Sequence, residues 1–193
     1  MTPEHIVLAS SSPRRAALLR QARIPFRVQT PDVDETAEAG ESGQDYVTRL
    51  ARTKARAVRE SLPVVAADTV VTIDGQLLGK PRDKPHFVTM MRTLSGREHR
   101  VLTAVALRWG VREAVRTVGA MVTLRHIAPA EIDAYWSTGE PQDKAGGYGI
   151  QGLGGTFVRM VHGSYHAVVG LPLAETEELL AAFGIDAWHW RTS

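Results

Sequence analysis

Cysteine is missing from all 193 positions, which removes disulfides, thiolate metal sites and a cysteine nucleophile together. Lysine is scarce: Lys54, Lys80, Lys84 and Lys144 are the only four, in a basic set dominated by arginine. Wherever a lysine is used, its purpose is therefore worth asking. No stretch approaches the ~18 apolar residues that span a bilayer. The opening residues also lack the charged-then-apolar pattern of a signal peptide, since "HIVLA" is a strand-length run ending in serines. The net charge of +2, from 23 basic and 21 acidic residues, is too small for the whole surface to hold a polyanion. No repeat, low-complexity tract or obvious linker interrupts the chain. The expectation is a soluble cytoplasmic protein, with neither nucleic acid nor membrane among its partners.

With 44% hydrophobic and 23% charged residues, the chain has an ordinary globular composition, long enough for one domain or for two small lobes sharing a core. Residues 5–9 read as a buried strand. Ser12 and Pro13 then read as N-cap and first position of a helix to about Ala22. "FRVQT" (26–30) alternates like a half-exposed strand, and 31–43 is an acidic loop. From Gln44 to Glu60, apolar residues recur at helical spacing. "VVAADTVVTIDGQLLGK" predicts a buried strand, an Asp-Gly turn and a short return strand. A helix from Lys84 to about Leu94 follows, then long strands over 99–108 and 113–124 and a helix from Pro129 to about Thr138. A glycine-rich loop (140–155), a strand near 157–161 and a helix from about Leu173 to Phe183 complete the order. Strands and helices alternate without strict βαβ regularity, which predicts an α/β fold with a mixed sheet.

Three stretches carry candidate chemistry. "LASSSPRRAALLR" (8–20) sets Ser10, Ser11 and Ser12 before a helix that opens with Arg14 and Arg15. Two arginines at the positive end of a helix oppose its dipole unless an anion belongs there. Forked guanidiniums and serine hydroxyls suit phosphate oxygens, although a capped helix with two solvated arginines fits the stretch as well. In "AADTVV" (66–71), Asp68 interrupts an apolar strand, where a carboxylate is costly unless it is paired or metal-bound. A general base, a metal ligand and a turn-capping aspartate all remain open for it. Lys80 follows the hairpin closely enough to return to the same end of the sheet, and Lys54 lies on the polar flank of its helix, where a solvated lysine is expected.

The third stretch, "DKAGGYGIQGLGG" (143–155), contains G-x-G-x-x-G at Gly147, Gly149 and Gly152. That spacing binds dinucleotides only between a strand and a helix. Here a Pro-Gln-Asp turn precedes it and a strand follows, so the match is rejected. What is left is a loop able to approach a flat ligand, with Tyr148 and Gln151 as its specific groups. No P-loop pattern occurs, and His162 and His166 are not on a helical metal-binding face.

Together the segments "LASSSPRR", "VDE" (33–35), "YVTRLARTKA", "AADTVV", "LGKPRD", "LSGREHRVLTAVAL", "DKAGGYGIQGLGG" and "GSYHAVVGLPL" resemble the Maf family. Its members are nucleoside triphosphate pyrophosphatases once described as septum-formation inhibitors. The likeness runs from residue 8 to about 173 in the family's order. It is nearest to the branch acting on dTTP and UTP, whose loop reads Tyr-Gly-Ile-Gln-Gly; a sister branch acting on 7-methyl-GTP has Ser-Glu-Gly where this chain has Ile150, Gln151 and Gly152.

The resemblance implies a single Maf-like domain over 1–193, with a curved mixed sheet flanked by helices and two lobes around a central nucleotide cleft. It makes Asp68 the proton acceptor. Arg14, Thr69 and Gln151 become substrate-selecting residues, and Ser10, Arg14, Arg15, Lys54 and Lys80 phosphate-binding ones. Glu35 would share a divalent cation, Mg²⁺ or Mn²⁺, with Asp68. A homodimer that hydrolyses dTTP and UTP to the monophosphate and pyrophosphate is the implied enzyme. The rival is a nucleotide-binding regulator of septum formation without turnover.

Overall fold

The computed structural model describes residues 3–192. Strand β1 (Ile6–Ala9) is buried throughout, as four consecutive apolar residues predict. It feeds α1 (Pro13–Gln21), where Ser12 takes the N-cap position and Pro13, already restricted to helical φ, starts the helix. Then come β2 (Phe26–Val28) and α2 (Gly43–Ala57), whose N-cap Ser42 accepts the amide of Asp45. Strand β3 (Val64–Ile73) turns at Asp74 and Gly75 into β4 (Gln76–Leu78). Both turn residues have positive φ, 50° and 76°, the backbone of a tight hairpin with the strand twist built in.

Helix α3 (Lys84–Leu94) is capped by the Asp83 side chain and has a proline in its first turn. The long strands β5 (Glu98–Trp109) and β6 (Arg112–Leu124) are separated by Gly110 and Val111. Helix α4 (Pro129–Ser137) precedes three short 3₁₀ turns, Glu140–Asp143, Ala145–Gly147 and Leu153–Phe157. The predicted glycine-rich loop is therefore ordered structure. After β7 (Val158–Gly163) come α5 (Tyr165–Val169), α6 (Leu173–Ala182) and α7 (Ala187–Thr192). The sequence reading contains neither α5 nor α7. At five and six residues, both are too short for helical periodicity to show.

The seven strands form one sheet in the order β2-β1-β3-β5-β6-β7, with β4 paired to β3. It is mixed: β1 runs parallel to β2 and β3, whereas β4 and β7 pair antiparallel with β3 and β6. The α/β class predicted from the order of elements is thus observed.

Two compact units divide the chain. The first holds residues 1–68, 103–118 and 170–193; the second holds 69–102 and 119–169. In the first, Ile6, Leu8, Leu18, Leu19 and Leu50 are buried to within 1% exposure, each contributing roughly 1.5–3 kcal/mol of transfer free energy. In the second, a cluster from β3, α3, β6 and α4 surrounds Phe87, with Tyr135, Tyr148 and Phe157 among its members.

Candidate active site

Parallel pairing of β1 with β3 reaches Ala9↔Ala66. Just beyond that pairing stand Ser10, past the carboxyl end of β1, and Asp68, in the middle of β3. That end of a parallel pair is where α/β folds collect ligands, because the turn into the following helix opens there. Ser10 is buried, and its hydroxyl accepts the Ser12 amide at 3.1 Å and Arg15 Nη1 at 3.2 Å. Arg15 Nε donates to the Gly170 carbonyl at 2.9 Å, so the guanidinium is fixed at two points. The Ser12 side chain makes no capping bond, and no acidic residue occupies the first turn of α1. Ser10, through Arg15, therefore shapes the start of α1 rather than Ser12.

Asp68 is 6% exposed, and its Oδ1 accepts from Lys54 Nζ at 2.6 Å. Lys54 Nζ also lies 2.6 Å from Glu35 Oε1. The expected surface lysine is in fact buried, also 6% exposed. Its spacing explains why: Val47, Leu50, Ala51, Lys54 and Ala55 form the inward stripe of α2 at helical intervals. Position 54 belongs to the apolar face, and the register of the helix was the signal that could have shown it. Asp68 is thus a buried, ion-paired carboxylate within β3, not a turn cap.

Burial raises the Asp68 pKa above the ordinary carboxylate value, with Lys54 and Arg15 pulling against it and Glu35 adding to the rise. For Arg15, burial lowers the pKa while Asp68 and Glu35 oppose the fall and Arg14 adds to it. These mutual influences put Arg15, Lys54, Asp68 and Glu35 in one electrostatic neighbourhood. Tyr46, an unremarked helix residue in the sequence, joins it: its hydroxyl donates to the Glu35 carbonyl at 2.9 Å and fixes the acidic loop on α2. Burial first, then Asp68 and Glu35, push its phenol up to about 12.

Two carboxylates converging on one ammonium make a cation position lined by hard oxygens. Glu35 and Asp68 are the two carboxylates that would hold Mg²⁺ or Mn²⁺, in the class of site that uses one or two carboxylates and leaves the other positions to water and phosphate. Among the described residues no group of three His, Cys, Asp or Glu is gathered for a metal; His162 lies on β7 and His166 in α5.

Thr69, Arg14 and Gln151 were expected to select substrate. Arg14 lies half-buried in the first turn of α1; Thr69 is half-buried on β3 and Gln151 is exposed, both in the second unit. Lys80 is exposed just past β4, and the neighbouring Gly79 carbonyl accepts the Gly146 amide at 3.0 Å, pinning that turn to the glycine-rich segment. Tyr148 is not presented to a ligand. It is 6% exposed, and its hydroxyl shares a 2.7 Å hydrogen bond with His99 Nε2 in the core. Of the two specific groups expected in this loop, Gln151 alone faces outward.

The loop's glycines answer to the protein's own packing. A Cβ at Gly152 would stand 2.5 Å from both Glu140 carboxylate oxygens, one at Gly149 would strike Lys144 at 2.5 Å, and one at Gly154 would strike the Tyr135 hydroxyl at 2.5 Å. Glu140 Oε1 accepts from the Tyr135 hydroxyl at 2.8 Å and the Gly154 amide at 3.1 Å, while Oε2 accepts the Leu153 amide at 2.8 Å. Burial raises the Glu140 pKa, but the bonds from Gly154, Tyr135 and Leu153 outweigh it and hold the carboxyl low. Read as one residue of a loop, Glu140 gave no sign of this role in the sequence.

The family model described as "Maf-like protein" matches residues 5–183. A dTTP/UTP pyrophosphatase of Yersinia pestis is 53% identical over 182 residues, covering 92% of each chain. That of Alkalilimnicola ehrlichii is 50% identical over 203 aligned positions, covering 98% of this chain and all of its own. Among solved structures, the Ham1 protein of Staphylococcus aureus aligns with a TM-score of 0.44 at 14% identity, over 63% of this chain and 72% of that one. With the family model spanning nearly every element and half the residues shared with these relatives, the chain belongs to the Maf-like protein family.

Proposed function

We propose that this protein is a nucleoside triphosphate pyrophosphatase acting on dTTP and UTP. The carrying observation is the Asp68–Lys54–Glu35 cluster, in which Asp68 of mid-β3 and Lys54 of α2 are buried and Glu35 reaches the ammonium from the exposed loop, in a chain about half identical to proteins named for that activity. Asp68 takes a proton from water as its oxygen attacks the α-phosphorus; the bond to the bridging oxygen breaks, and pyrophosphate leaves. A carboxylate whose pKa is raised by burial is a stronger base than one in water. Lys54 keeps it ionised before the transfer, and Arg15, locked by Ser10 and Gly170, meets the phosphates without reorganising. Arg14 and Lys80 supply further positive charge.

Glu35 and Asp68 would hold a divalent cation, which when bound offsets phosphate charge as a Lewis acid. Thr69 and Gln151 select the base. The Gln151 amide can accept from the N3–H of uracil or thymine and donate to a neighbouring carbonyl. A cytoplasmic homodimer is the expected setting, which light scattering on the purified protein checks for assembly.

Product analysis over a nucleotide panel tests the reading. Pyrophosphate with dTMP or UMP supports it. Inorganic phosphate would make the protein a γ-phosphatase, and binding without turnover would make it a regulator.

A further inference from the structure

Gln151 is exposed, and a flexible amide on a glycine-rich turn would lose conformational entropy with every base it reads. The turn around it is not loose. On its N-terminal side, the Gly149 amide donates to the Tyr135 hydroxyl at 3.1 Å. On its C-terminal side, the Leu153 and Gly154 amides donate to the two oxygens of Glu140. Tyr135 in turn donates to Glu140 Oε1, so both flanks of Gln151 end on one carboxylate. Glu140 is itself anchored, its carbonyl accepting Lys144 Nζ at 2.6 Å. A Cβ at Gly152 would meet Glu140 and one at Gly154 the Tyr135 hydroxyl, each at 2.5 Å, while one at Gly149 would meet Lys144, so the turn closes tightly on these three residues.

We infer that Glu140, with Tyr135, is the positioning residue for base selection, fixing the 149–154 turn so that Gln151 meets the base preformed. The inference rests on the reading that Gln151 selects pyrimidines. A carboxylate is suited to this task because it is acceptor-only and can serve all three donors at once. A glutamine of the same shape turns an NH₂ toward one of the backbone amides and must release it.

The test measures kcat and KM for dTTP, UTP and GTP with the wild-type protein and with Glu140→Gln, Tyr135→Phe, Gln151→Ala and the double variant Glu140→Gln/Gln151→Ala. Glu140→Gln is expected to cut the preference for pyrimidine over GTP about ten-fold, mainly through KM, with a smaller cut in Tyr135→Phe. In the Gln151→Ala background the same change should leave the preference where Gln151→Ala alone put it. Faster amide exchange at Gly149, Leu153 and Gly154 should accompany it, and should be readable in Tyr135→Phe if Glu140→Gln does not fold. A preference unchanged in Glu140→Gln and Tyr135→Phe, but reduced in Gln151→Ala, overturns the inference and spares the reading of Gln151. Additive effects in the double variant overturn it too, because Glu140 would then act by another route. A preference unchanged by Gln151→Ala removes the reading itself, and the inference with it.

Discussion

Asp68 and Lys54 lie 2.6 Å apart with both side chains out of water, and Glu35 Oε1 stands equally close to the ammonium. Asp68→Asn keeps the shape and removes basicity together with the charge, while Lys54 keeps an amide oxygen and the Glu35 carboxylate as partners. It is expected to lower kcat by ~10²–10⁴-fold with little change in thermal unfolding, and a variant keeping more than half the rate would remove Asp68 from the role of base. Lys54→Met is different. It leaves two carboxylates without their shared cation, and stability at neutral pH should fall by about 3–5 kcal/mol. The deficit should shrink on acidification, as Asp68 and Glu35 take up protons, which urea unfolding at several pH values will read. At Gln151, a change to Glu supplies acceptors only and should lower kcat/KM for dTTP and UTP ~10-fold while sparing 7-methyl-GTP. An unchanged ratio between the substrates would mean that position 151 does not read the base. The sequence made Asp68 legible because a lone acid in an apolar strand is conspicuous. The pairing itself was not, since the Lys54–Asp68 and Tyr46–Glu35 contacts join neighbouring but separate segments, and only tertiary packing shows which side chains meet.

Elements were most legible where the chain punctuates itself. Lys84–Leu94 is the helix that Asp83, Pro85 and Gly96 delimit, and the Asp74–Gly75 hairpin follows from its two turn residues. The 140–155 segment was legible only as glycine-rich, because the reasons for its glycines lie in how it folds back on Glu140 and Lys144 and packs against Val71, Phe87 and Tyr135. Gly146 illustrates the difference: it has φ +72°, and a Cβ there would sit 2.7 Å from Val71. Gly146→Ala therefore combines left-handed strain with overpacking and should destabilise by about 2–4 kcal/mol. Gly40 has φ +76° and nothing within 4 Å, so Gly40→Ala isolates the backbone penalty of roughly 1–2 kcal/mol. Equal shifts in the urea midpoints of the two variants would show that the Val71 contact relaxes away.

For the whole molecule, the acid limb of stability is where a buried neutral group tells. His99 is 2% exposed, and burial pushes its imidazole down to about 4. Between that value and the ordinary 6.5 the unfolded chain binds the proton and the folded one does not, so stability rises with pH across this window. Acidification from pH 6.5 to 4 should cost about 3 kcal/mol through His99 alone, and His99→Phe should flatten that slope. An identical slope in the variant would assign the acid sensitivity to other groups.

The two units are also interleaved along the chain, with β3, β5 and β6 each contributing residues to both and the first unit regaining the chain at Gly170. In genetic terms, neither unit corresponds to a continuous stretch of coding sequence, so no single cut of the gene yields either one alone. A premature stop after codon 169 would delete a 24-residue tail numbered 170–193 that belongs with the first 68 residues. It would also delete the Gly170 carbonyl that holds Arg15, so a truncation far from Ser10 and Arg15 in the reading frame would strike directly at the amino end of α1.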